Sequence, residues 1–272
     1  MSPTATEARA LSITGIRRLL RAPIVGRQLY VCGQVESTNA TLSRLARSGA
    51  PEGTVVLAES QTAGRGRLGQ PWFSPPGVNL YASVLFRGSL TLQEAPLFSL
   101  IGGLALADAV GETGASPAIK WPNDVLVNGR KVGGSRTECG ARGDEVDYLI
   151  VGVGANLNVD LDALGAALGP AAVHATSLRA ATGSEVDRDA FAAAYLNALD
   201  AWAACYRGEG PGSVLLAWRD RDILTGRRVE IRRDGHTFIG RVSGVDEQGR
   251  LVVQDALGER LTVSTEEIQL CD

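Results

Sequence analysis

The chain has 272 residues, of which 44% are apolar and 21% charged, and its formal net charge at pH 7 is −3. These values are typical of a globular protein with one large domain, or a domain with a small appendage. The acidic balance argues against a general nucleic-acid binder, since neutralising phosphates needs a surplus of lysine and arginine. Any anion binding must therefore be local.

Residues that often carry metal or nucleophilic chemistry are scarce. The only histidines are His174 and His236, which disfavours a histidine-ligated zinc site or a Ser-His-Asp triad, so no metal-ligating residues are predicted. The cysteines form no C-x-x-C pair, and the N-terminus lacks the layout of a secretory signal. A reducing, cytoplasmic location is therefore expected. The chemistry should depend on lysine, arginine, aspartate, asparagine and backbone amides.

The first half of the chain alternates predicted strands and helices. Ser37-Thr38-Asn39 can cap a helix that runs through Ala46 and closes at Gly49. Apolar residues at helical spacing predict a buried helix over Ala95–Val110. The apolar run Leu97–Val110 is too short to span a bilayer and contains Asp108, so no membrane partner is expected. The other predicted elements are a frayed tail over residues 1–15, a short helix near Ile16–Leu20, and strands at Arg27–Val35, Thr54–Glu59 and Asn79–Phe86.

A hairpin is the clearest feature of the middle of the chain. Asn128-Gly129 is a strong signal for a two-residue turn. Such a turn places Leu126 opposite Lys131 and Asp124 opposite Gly133, so that Asp124 and Lys131 become diagonal neighbours on one face. Strict alternation then places Arg136 on the opposite face, where it could pair with Glu138. The strands predicted here are Ile119–Trp121, Val125–Val127, Val132–Glu138 and Tyr148–Val153, and helices follow at Asp189–Tyr206 and Val214–Arg221.

The last fifty residues contain short strands separated by Asp-Gly, Gln-Gly and Leu-Gly turns, a spacing typical of a small SH3-like β-barrel. The predicted barrel strands are Arg228–Ile231, Thr237–Val242, Leu251–Val253 and Arg260–Val263. The predicted fold class is α+β, a mixed and mostly antiparallel sheet flanked by helices, followed by this barrel. The expected domains are an N-terminal tail and short helix over residues 1–26, a catalytic domain over 27–222 and the barrel over 223–272.

Residues 64–69 read Gly-Arg-Gly-Arg-Leu-Gly and match the dinucleotide fingerprint G-x-G-x-x-G. That fingerprint requires a helix to open directly after it. Prolines at positions 71, 75 and 76 prevent this, because proline lacks an N–H and clashes with the preceding turn. The segment is therefore predicted to be a flexible loop in which Arg65 and Arg67 hold a phosphate-bearing molecule by charge. An NAD- or FAD-dependent oxidoreductase is disfavoured.

The chain resembles the biotin–protein ligases in a series of ordered blocks that extends from Val31 to Leu178. The blocks are Glu36–Asn39, Gln61–Arg67, Lys120–Asp124, Gly129–Gly134 and Gly152–Asn158, with a weaker one at Ala175–Leu178. The resemblance implies a fold like that of class II aminoacyl-tRNA synthetases, with a C-terminal barrel. Some members carry an N-terminal DNA-binding domain. The residues that precede the first strand are too few for one, so the monofunctional type is expected and a repressor role is not.

The resemblance implies an ATP-dependent ligase. Biotin and ATP are the substrates, Mg²⁺ screens the β- and γ-phosphates, and biotinyl-5′-AMP is the intermediate that acylates a lysine of a biotin carboxyl carrier protein. It leaves open whether the chain forms a homodimer. Two alternatives remain: a lipoate–protein ligase or octanoyltransferase of the same architecture, and a non-enzymatic biotin sensor.

The resemblance also assigns site residues. Lys131, Arg67 and Asp124 are the expected catalytic residues. The expected biotin-binding residues are Ser37, Thr38, Asn39, Gln61, Gly64, Arg65, Gly66, Arg67, Lys131, Gly133 and Gly134. The expected ATP-binding residues are Arg65, Arg67, Trp72, Asn123, Lys131 and Asn156.

Several of these residues also have a structural interpretation. Trp72 could simply pack the loop on the core, Ser37 could serve only as a helix cap, and Lys120 is interpreted as a strand-end charge. The chain departs from the family where Ser135-Arg136 replaces two apolar residues, and Ala155 is smaller than usual there. These departures raise the question of how the strand after Gly134 is covered.

Overall fold

The computed structural model describes residues 9–88, 90–142, 145–233, 236–264 and 267–271. Within these ranges the helices are α1 Ile13–Leu19, α2 Thr38–Arg47, α3 Ala95–Gly111, α4 Leu161–Leu168, α5 Leu178–Thr182, α6 Arg188–Glu209 and α7 Pro211–Arg219. The strands are β1 Gln28–Val35, β2 Thr54–Gln61, β3 Leu80–Phe86, β4 Leu90–Thr91, β5 Pro117–Lys120, β6 Asp124–Val127, β7 Arg130–Arg142, β8 Glu145–Ala155, β9 Arg228–Arg233, β10 His236–Val245, β11 Leu251–Gln254, β12 Arg260–Val263 and β13 Glu267–Leu270.

The main sheet has the strand order β1-β2-β3-β8-β7-β6-β5, and β4 pairs with β8. β1 and β2 are parallel, whereas the other neighbours are antiparallel. All seven residues of β3 are buried, because α3, with α6 packed on it, covers one face of the sheet and α2 covers the other. The predicted mixed, mostly antiparallel α+β architecture is confirmed.

Helix α3 is the central core helix. A Cβ at Gly102 would lie 2.8 Å from the Cβ of Ser135 and 2.9 Å from Cγ1 of Val151, so this glycine lets the helix approach β7 and β8 closely. With the turn before it, the helical segment Leu92–Gly111 has 20 residues and a mean hydropathy of 1.3, which by length and composition would suffice to cross a membrane. The apolar run Leu97–Val110, which was predicted to be too short to do so, is thus only part of a longer helical segment. Burial of α3 against the sheet accounts for its apolar character.

The described part of the N-terminus is held against the body of the protein. Leu11 N donates to Glu59 Oε1 at 2.6 Å, and Ser12 N donates to Asp189 Oδ1 at 2.8 Å. Glu59 in turn pairs with the buried Arg188 at 2.8 Å. The predicted frayed tail is wrong for residues 9–15, because these carboxylates bind its backbone, while residues 1–8 lie outside the described ranges.

A second, five-stranded antiparallel sheet follows, in the order β12-β11-β10-β9-β13. This is the predicted SH3-like unit, although β13 was not anticipated. The turns at Gly249 and Gly258 have φ near 76° and 88°, as glycine permits; the predicted Asp-Gly turn at 234–235 lies outside the described residues. Trp121 Nε1 donates to Gly249 O at 3.0 Å and joins this sheet to the main one.

Candidate active site

A cleft of about 1000 Å³ opens between α2, the loop after β2, strands β5 to β8 and Ile268 of β13 in the second sheet. Most of the predicted site residues line it: Ser37, Thr38, Asn39, Gln61, Arg65, Gly66, Arg67, Trp72, Asn123, Asp124, Lys131, Gly134 and Asn156. Gly64 and Gly133 do not. Gly64 packs behind the loop against Gln61 and Ser74, and Gly133 faces Leu106 of α3.

The cleft is cationic in a protein whose net charge is −3. Among the described residues, five lysine or arginine side chains line it, Arg65, Arg67, Lys120, Lys131 and Arg136, and Asp124 is the one carboxylate in the lining. This cationic lining is the candidate for the local anion site expected from composition. Because charges in such a low-dielectric cleft reinforce each other, it favours a polyanionic ligand.

The Asn128-Gly129 hairpin brings Lys131 and Asp124 together. Lys131 Nζ lies 2.6 Å from Asp124 Oδ1, and Leu126 pairs with Lys131 as predicted. The predicted pairing of Asp124 with Gly133 is wrong, since Asp124 pairs with Gly134 and a β-bulge shifts the register. The bulge leaves Val132 as the extra residue on β7, which locally reverses the alternation of side chains.

Because of the same bulge, the predicted position of Arg136 is wrong. Strict alternation predicted that Arg136 faces away from Lys131, but it lines the cleft together with Lys131 and Gly134. The predicted partner is present, with Arg136 Nε 3.3 Å from Glu138 Oε1. Arg136 Nη1 also donates to the carbonyl oxygen of Gly66 at 3.1 Å. The cation therefore contacts the loop above the cleft.

A connected set of polar side chains, neutral apart from the Glu138 carboxylate behind Asn39, forms the other end of the cleft. Gln61 Oε1 accepts from Thr38 N at 2.9 Å and lies 3.2 Å from Thr38 Oγ1, while its Nε2 donates to Ser74 Oγ at 3.0 Å. Asn39 Nδ2 donates to Glu138 Oε1 at 2.9 Å. Such fixed donors and acceptors suit a planar, neutral, polar ring. Ser37 also caps α2, through a 3.5 Å contact with Ala40 N.

Three residues of this set, Ser74, Ser83 and Glu138, were not predicted as site residues. Ser83 Oγ lies 2.6 Å from Asn39 Oδ1 and 2.8 Å from Thr38 Oγ1, and so fixes both side chains. In the sequence, Ser83 stands out only as a hydroxyl residue within an otherwise apolar strand. The structure shows that this hydroxyl is fully buried. That pattern does not reveal which partner the hydroxyl serves.

Two glycines of β8 form the floor of the cleft. A Cβ at Gly152 would lie 2.1 Å from Asn39 Oδ1, and one at Gly154 would lie 2.4 Å from Trp72 Nε1. The bare backbone therefore lets Asn39 and the Trp72 ring lie directly on the sheet. Trp72 also has Lys131 Nζ 5.4 Å from its ring centroid, so packing on the core and facing the cleft are combined in one residue.

The loop after β2 contains no helix that could receive a pyrophosphate. Trp72 N donates to Gly64 O at 2.9 Å and Gly66 N to Gln70 O at 2.7 Å, and only a short 3-10 turn, Arg67–Gly69, lies between. The Arg67 guanidinium stacks 5.4 Å from the centroid of the Trp121 ring. The arginine loop, defined as Gly64–Trp72, is thus a folded hairpin above the cleft. No α-helix opens after the motif, as the prolines predicted, but a flexible loop was expected and the backbone hydrogen bonds give the segment a defined fold.

The two asparagines predicted to bind ATP have different surroundings. Asn156 Nδ2 donates to Thr176 O at 3.1 Å, and its backbone N donates to Val132 O at 2.7 Å. It therefore ties β7 to the segment before α5. Asn123 Nδ2 donates to Ser135 O, while its buried Oδ1 has no hydrogen-bond partner within the described residues. Asn123 lines the cleft, and this oxygen is left without a partner there.

Cys139, the residue after Glu138, packs against the main hydrophobic core and does not line the cleft. Burial, and then the charge of Glu138, raise the pKa of this thiol. Across the described ranges no three His, Cys, Asp or Glu side chains cluster as metal ligands. The cationic side chains of the cleft suit it to electrostatic stabilisation of a reacting anion.

Comparison with known proteins agrees with this chemistry. Residues 31–156 match the Biotin/lipoate A/B protein ligase family, and residues 224–270 match the Biotin protein ligase C terminal domain. The bifunctional ligase/repressor BirA of Bacillus spizizenii is 33% identical over 91% of this chain and 76% of its own length. The biotin--[acetyl-CoA-carboxylase] ligase of Paracoccus denitrificans is 34% identical over 86% of this chain and 97% of its own.

The fold leads to the same family. The biotin protein ligase from Aquifex aeolicus in complex with biotin and ATP superposes with a TM-score of 0.75 at 26% identity, covering 90% of this chain and 100% of that one. An α+β ligase with a cationic cleft and an SH3-like appendage is the class that fold and site define. The chain belongs to the biotin protein ligase family. The predicted activity, an ATP-dependent biotin ligase, is confirmed.

Proposed function

We propose that this chain activates biotin with ATP at the Lys131 end of the cleft and transfers the biotinyl group to a lysine of a carrier protein. The observation that carries this assignment is the juxtaposition, in one cleft, of a cationic end around the 2.6 Å Lys131–Asp124 pair and a neutral polar end around Thr38, Asn39 and Gln61. A substrate with a neutral ring and a carboxylate tail fits that arrangement when its tail points toward Lys131.

The first step joins two anions. A carboxylate oxygen of biotin attacks the α-phosphorus of ATP, and the bond from that phosphorus to the bridging oxygen breaks, so that pyrophosphate leaves with the electron pair. Bringing a carboxylate within ~4 Å of one phosphate charge costs about 4 kcal/mol at an effective dielectric of 20. Lys131 would lie between the two groups and stabilise the charge that develops in the transition state. Fixed charges and donors of this kind usually contribute more to an enzymatic rate than any other single effect.

Supporting roles follow from the contacts around Lys131. Asp124 orients the ammonium group through their ion pair. Arg65 and Arg67, both on the arginine loop, would hold the carboxylate and the phosphates from above, while Trp72 and Asn123 would contact the nucleotide. Asn156 would act there by holding the strand that carries Lys131, because its backbone N bonds Val132 O.

The neutral end would bind the ureido ring of biotin. Thr38, Asn39 and Gln61 supply amide and hydroxyl groups already fixed by Ser83 and Ser74, and Ser37 lies beside them. Prior fixation matters because side chains ordered before binding lose less entropy when the ligand arrives. Gly66 and Gly134 would admit the ligand chain between the loop and the sheet.

Mg²⁺ fits this site as an ion carried mainly by ATP. It is usually held by one or two carboxylates together with substrate phosphates. Asp124 and the buried, unpartnered Oδ1 of Asn123 are adjacent oxygens that could complete such a shell. Bound there, it would neutralise charge on the phosphates.

In the second step the acceptor lysine amine attacks the acyl carbon of biotinyl-5′-AMP, AMP leaves, and the amine loses a proton. The acceptor is of the biotin carboxyl carrier type. A cytoplasmic location and the absence of a nucleic-acid or membrane partner stay predictions, supported by the net charge of −3 and four unpaired cysteines. Whether the chain dimerises is a question for a solution measurement.

ATP–pyrophosphate exchange tests the first step. Labelled pyrophosphate should enter ATP when biotin is added and not when lipoate is added. A lipoate ligase is the second candidate, since the larger family model covers both kinds of ligase, but the biotin-specific match at residues 224–270 disfavours it. Exchange that responds only to lipoate would reverse the assignment.

A further inference from the structure

One cation of the cleft, Arg136, has no role in the proposed chemistry. It lies on the cleft face of β7 because of the bulge at Val132, and its side chain is 33% exposed. Its guanidinium uses two edges: Nε faces Glu138 Oε1 at 3.3 Å, and Nη1 donates to Gly66 O at 3.1 Å. Arg136 therefore bridges the floor of the cleft and the arginine loop above it.

The bridge continues on both sides. Below, Glu138 Oε1 also accepts from Asn39 Nδ2 at 2.9 Å, so Arg136 and Asn39 share one carboxylate. Above, the Gly66 N–H donates to Gln70 O, so both backbone groups of Gly66 are bound. Gly66 lies between Arg65 and Arg67, and fixing its peptide therefore fixes the base from which both arginines extend.

The positive charge of Arg136 explains why its contact with the arginine loop is accompanied by an ion pair with Glu138. Arg136 adds a positive charge close to two arginines that already repel one another. Glu138 compensates that charge where the guanidinium turns toward the loop. The planar fork of arginine can serve a carboxylate and a carbonyl at once, whereas a lysine ammonium is a single point charge.

We propose that Arg136 is a positioning residue that ties the arginine loop to the floor of the cleft and holds Arg65 and Arg67 at the reacting end before substrates bind. Only the link between the loop and catalysis rests on the proposed function. The tie itself exists in the ligand-free protein and can be measured there.

The test compares Arg136→Met, which keeps the apolar stem, with Arg136→Lys, which keeps the charge. Hydrogen exchange of loop amides 64–72 in the ligand-free protein should be about tenfold faster in both variants, the scale of one lost hydrogen bond to a charged group. Arg232→Met is the matched control, since Arg232 forms an exposed ion pair with Glu230 on β9, and it should leave loop exchange unchanged.

Kinetics separate positioning from simple packing. In ATP–pyrophosphate exchange both Arg136 variants should raise KM for biotin and ATP severalfold, and purified variant should release biotinyl-5′-AMP faster than wild type, with thermal unfolding close to wild type. Unchanged loop exchange in Arg136→Met, full rescue by Arg136→Lys, or faster loop exchange with unaltered kinetics would each overturn the proposal. Failure of the proposed function would appear differently, as no biotin-dependent exchange in the wild type.

Discussion

Lys131 and Arg136 are five residues apart on β7 and still share one face, because the bulge at Val132 inserts one extra residue between them. Two carboxylates, Asp124 on β6 and Glu138 on β7 itself, each bind one of these cations. At the scale of single residues the cleft is therefore organised as two adjacent ion pairs with different tasks, one at the reacting end and one at the loop.

The role of Lys131 has a direct test. Lys131→Met should lower kcat in biotin-dependent ATP–pyrophosphate exchange by roughly 10²- to 10³-fold, the usual loss when one donor to a developing charge is removed. The Kd for biotin should change much less, because the neutral end of the cleft is intact. Arg130→Met, one residue earlier on the same hairpin and outside the cleft lining, is the control. Equal losses in both variants would show a structural effect.

Gly152 tests whether the cleft requires a residue without a side chain beneath Asn39. Gly152→Ala places a Cβ 2.1 Å from Asn39 Oδ1, so Asn39 must move away from Glu138 and Ser83. We expect biotin affinity, measured by calorimetry, to fall at least about tenfold, with a loss of stability of ~1–3 kcal/mol from overpacking. Gly208→Ala, where the new Cβ meets nothing within 4 Å, should leave binding intact. Unaltered biotin binding in Gly152→Ala would contradict the placement of the ring near Asn39.

Among the larger elements, we expect the arginine loop to seal the cleft. Ordering glycine-rich backbone costs about 1–2 kcal/mol per residue, so ligand contacts should complete what Arg136 begins. Arg67→Ala should therefore leak biotinyl-5′-AMP into solution, measured as free intermediate after rapid filtration. Arg44→Ala, on the exposed side of α2, serves as the control. Retention of the intermediate by Arg67→Ala as well as by wild type would refute the sealing role.

The start of α3 gives a pH-dependent prediction. Burial alone would raise the pKa of Glu94, but hydrogen bonds from Tyr206 and Thr91 lower it overall. Because the folded-state pKa lies below the unfolded value near ~4.3, the stabilisation is present above that value and disappears as pH falls through the folded pKa. Denaturant unfolding should show Glu94→Gln less stable than wild type at pH 7, with the difference shrinking below pH ~4. A constant difference would exclude this linkage.

For the whole molecule, periodicity and turn residues in the sequence predicted most elements. Helix α3 was predicted from the spacing of its apolar residues, and the hairpin before Lys131 from Asn128-Gly129. Both are local signals. The bulge at Val132 could not be predicted, since it arises from how β7 packs between β6 and β8. Because the extra residue Val132 was not anticipated, Arg136 was predicted on the wrong face of β7.

The candidate site was predictable where local sequence blocks carry the chemistry, and Lys131, Asp124 and the loop arginines do meet in one cleft. Ser83 and Glu138 were missed because their partners lie on α2, 45 and 99 residues away in sequence. Gly64 and Gly133 shape the backbone without lining the cleft. The residues that support a site are thus harder to predict than those that face its ligand.

The complete reaction, from free biotin to a labelled carrier, provides the most direct measurement. The protein is incubated with ATP, Mg²⁺, an apo biotin carboxyl carrier domain, and either biotin or lipoate, and label on the carrier is followed by avidin blot and mass spectrometry. We predict biotinylation of one carrier lysine, dependent on ATP and abolished in Lys131→Met. A carrier that acquires lipoate but no biotin would contradict the assignment of this chain as a biotin ligase.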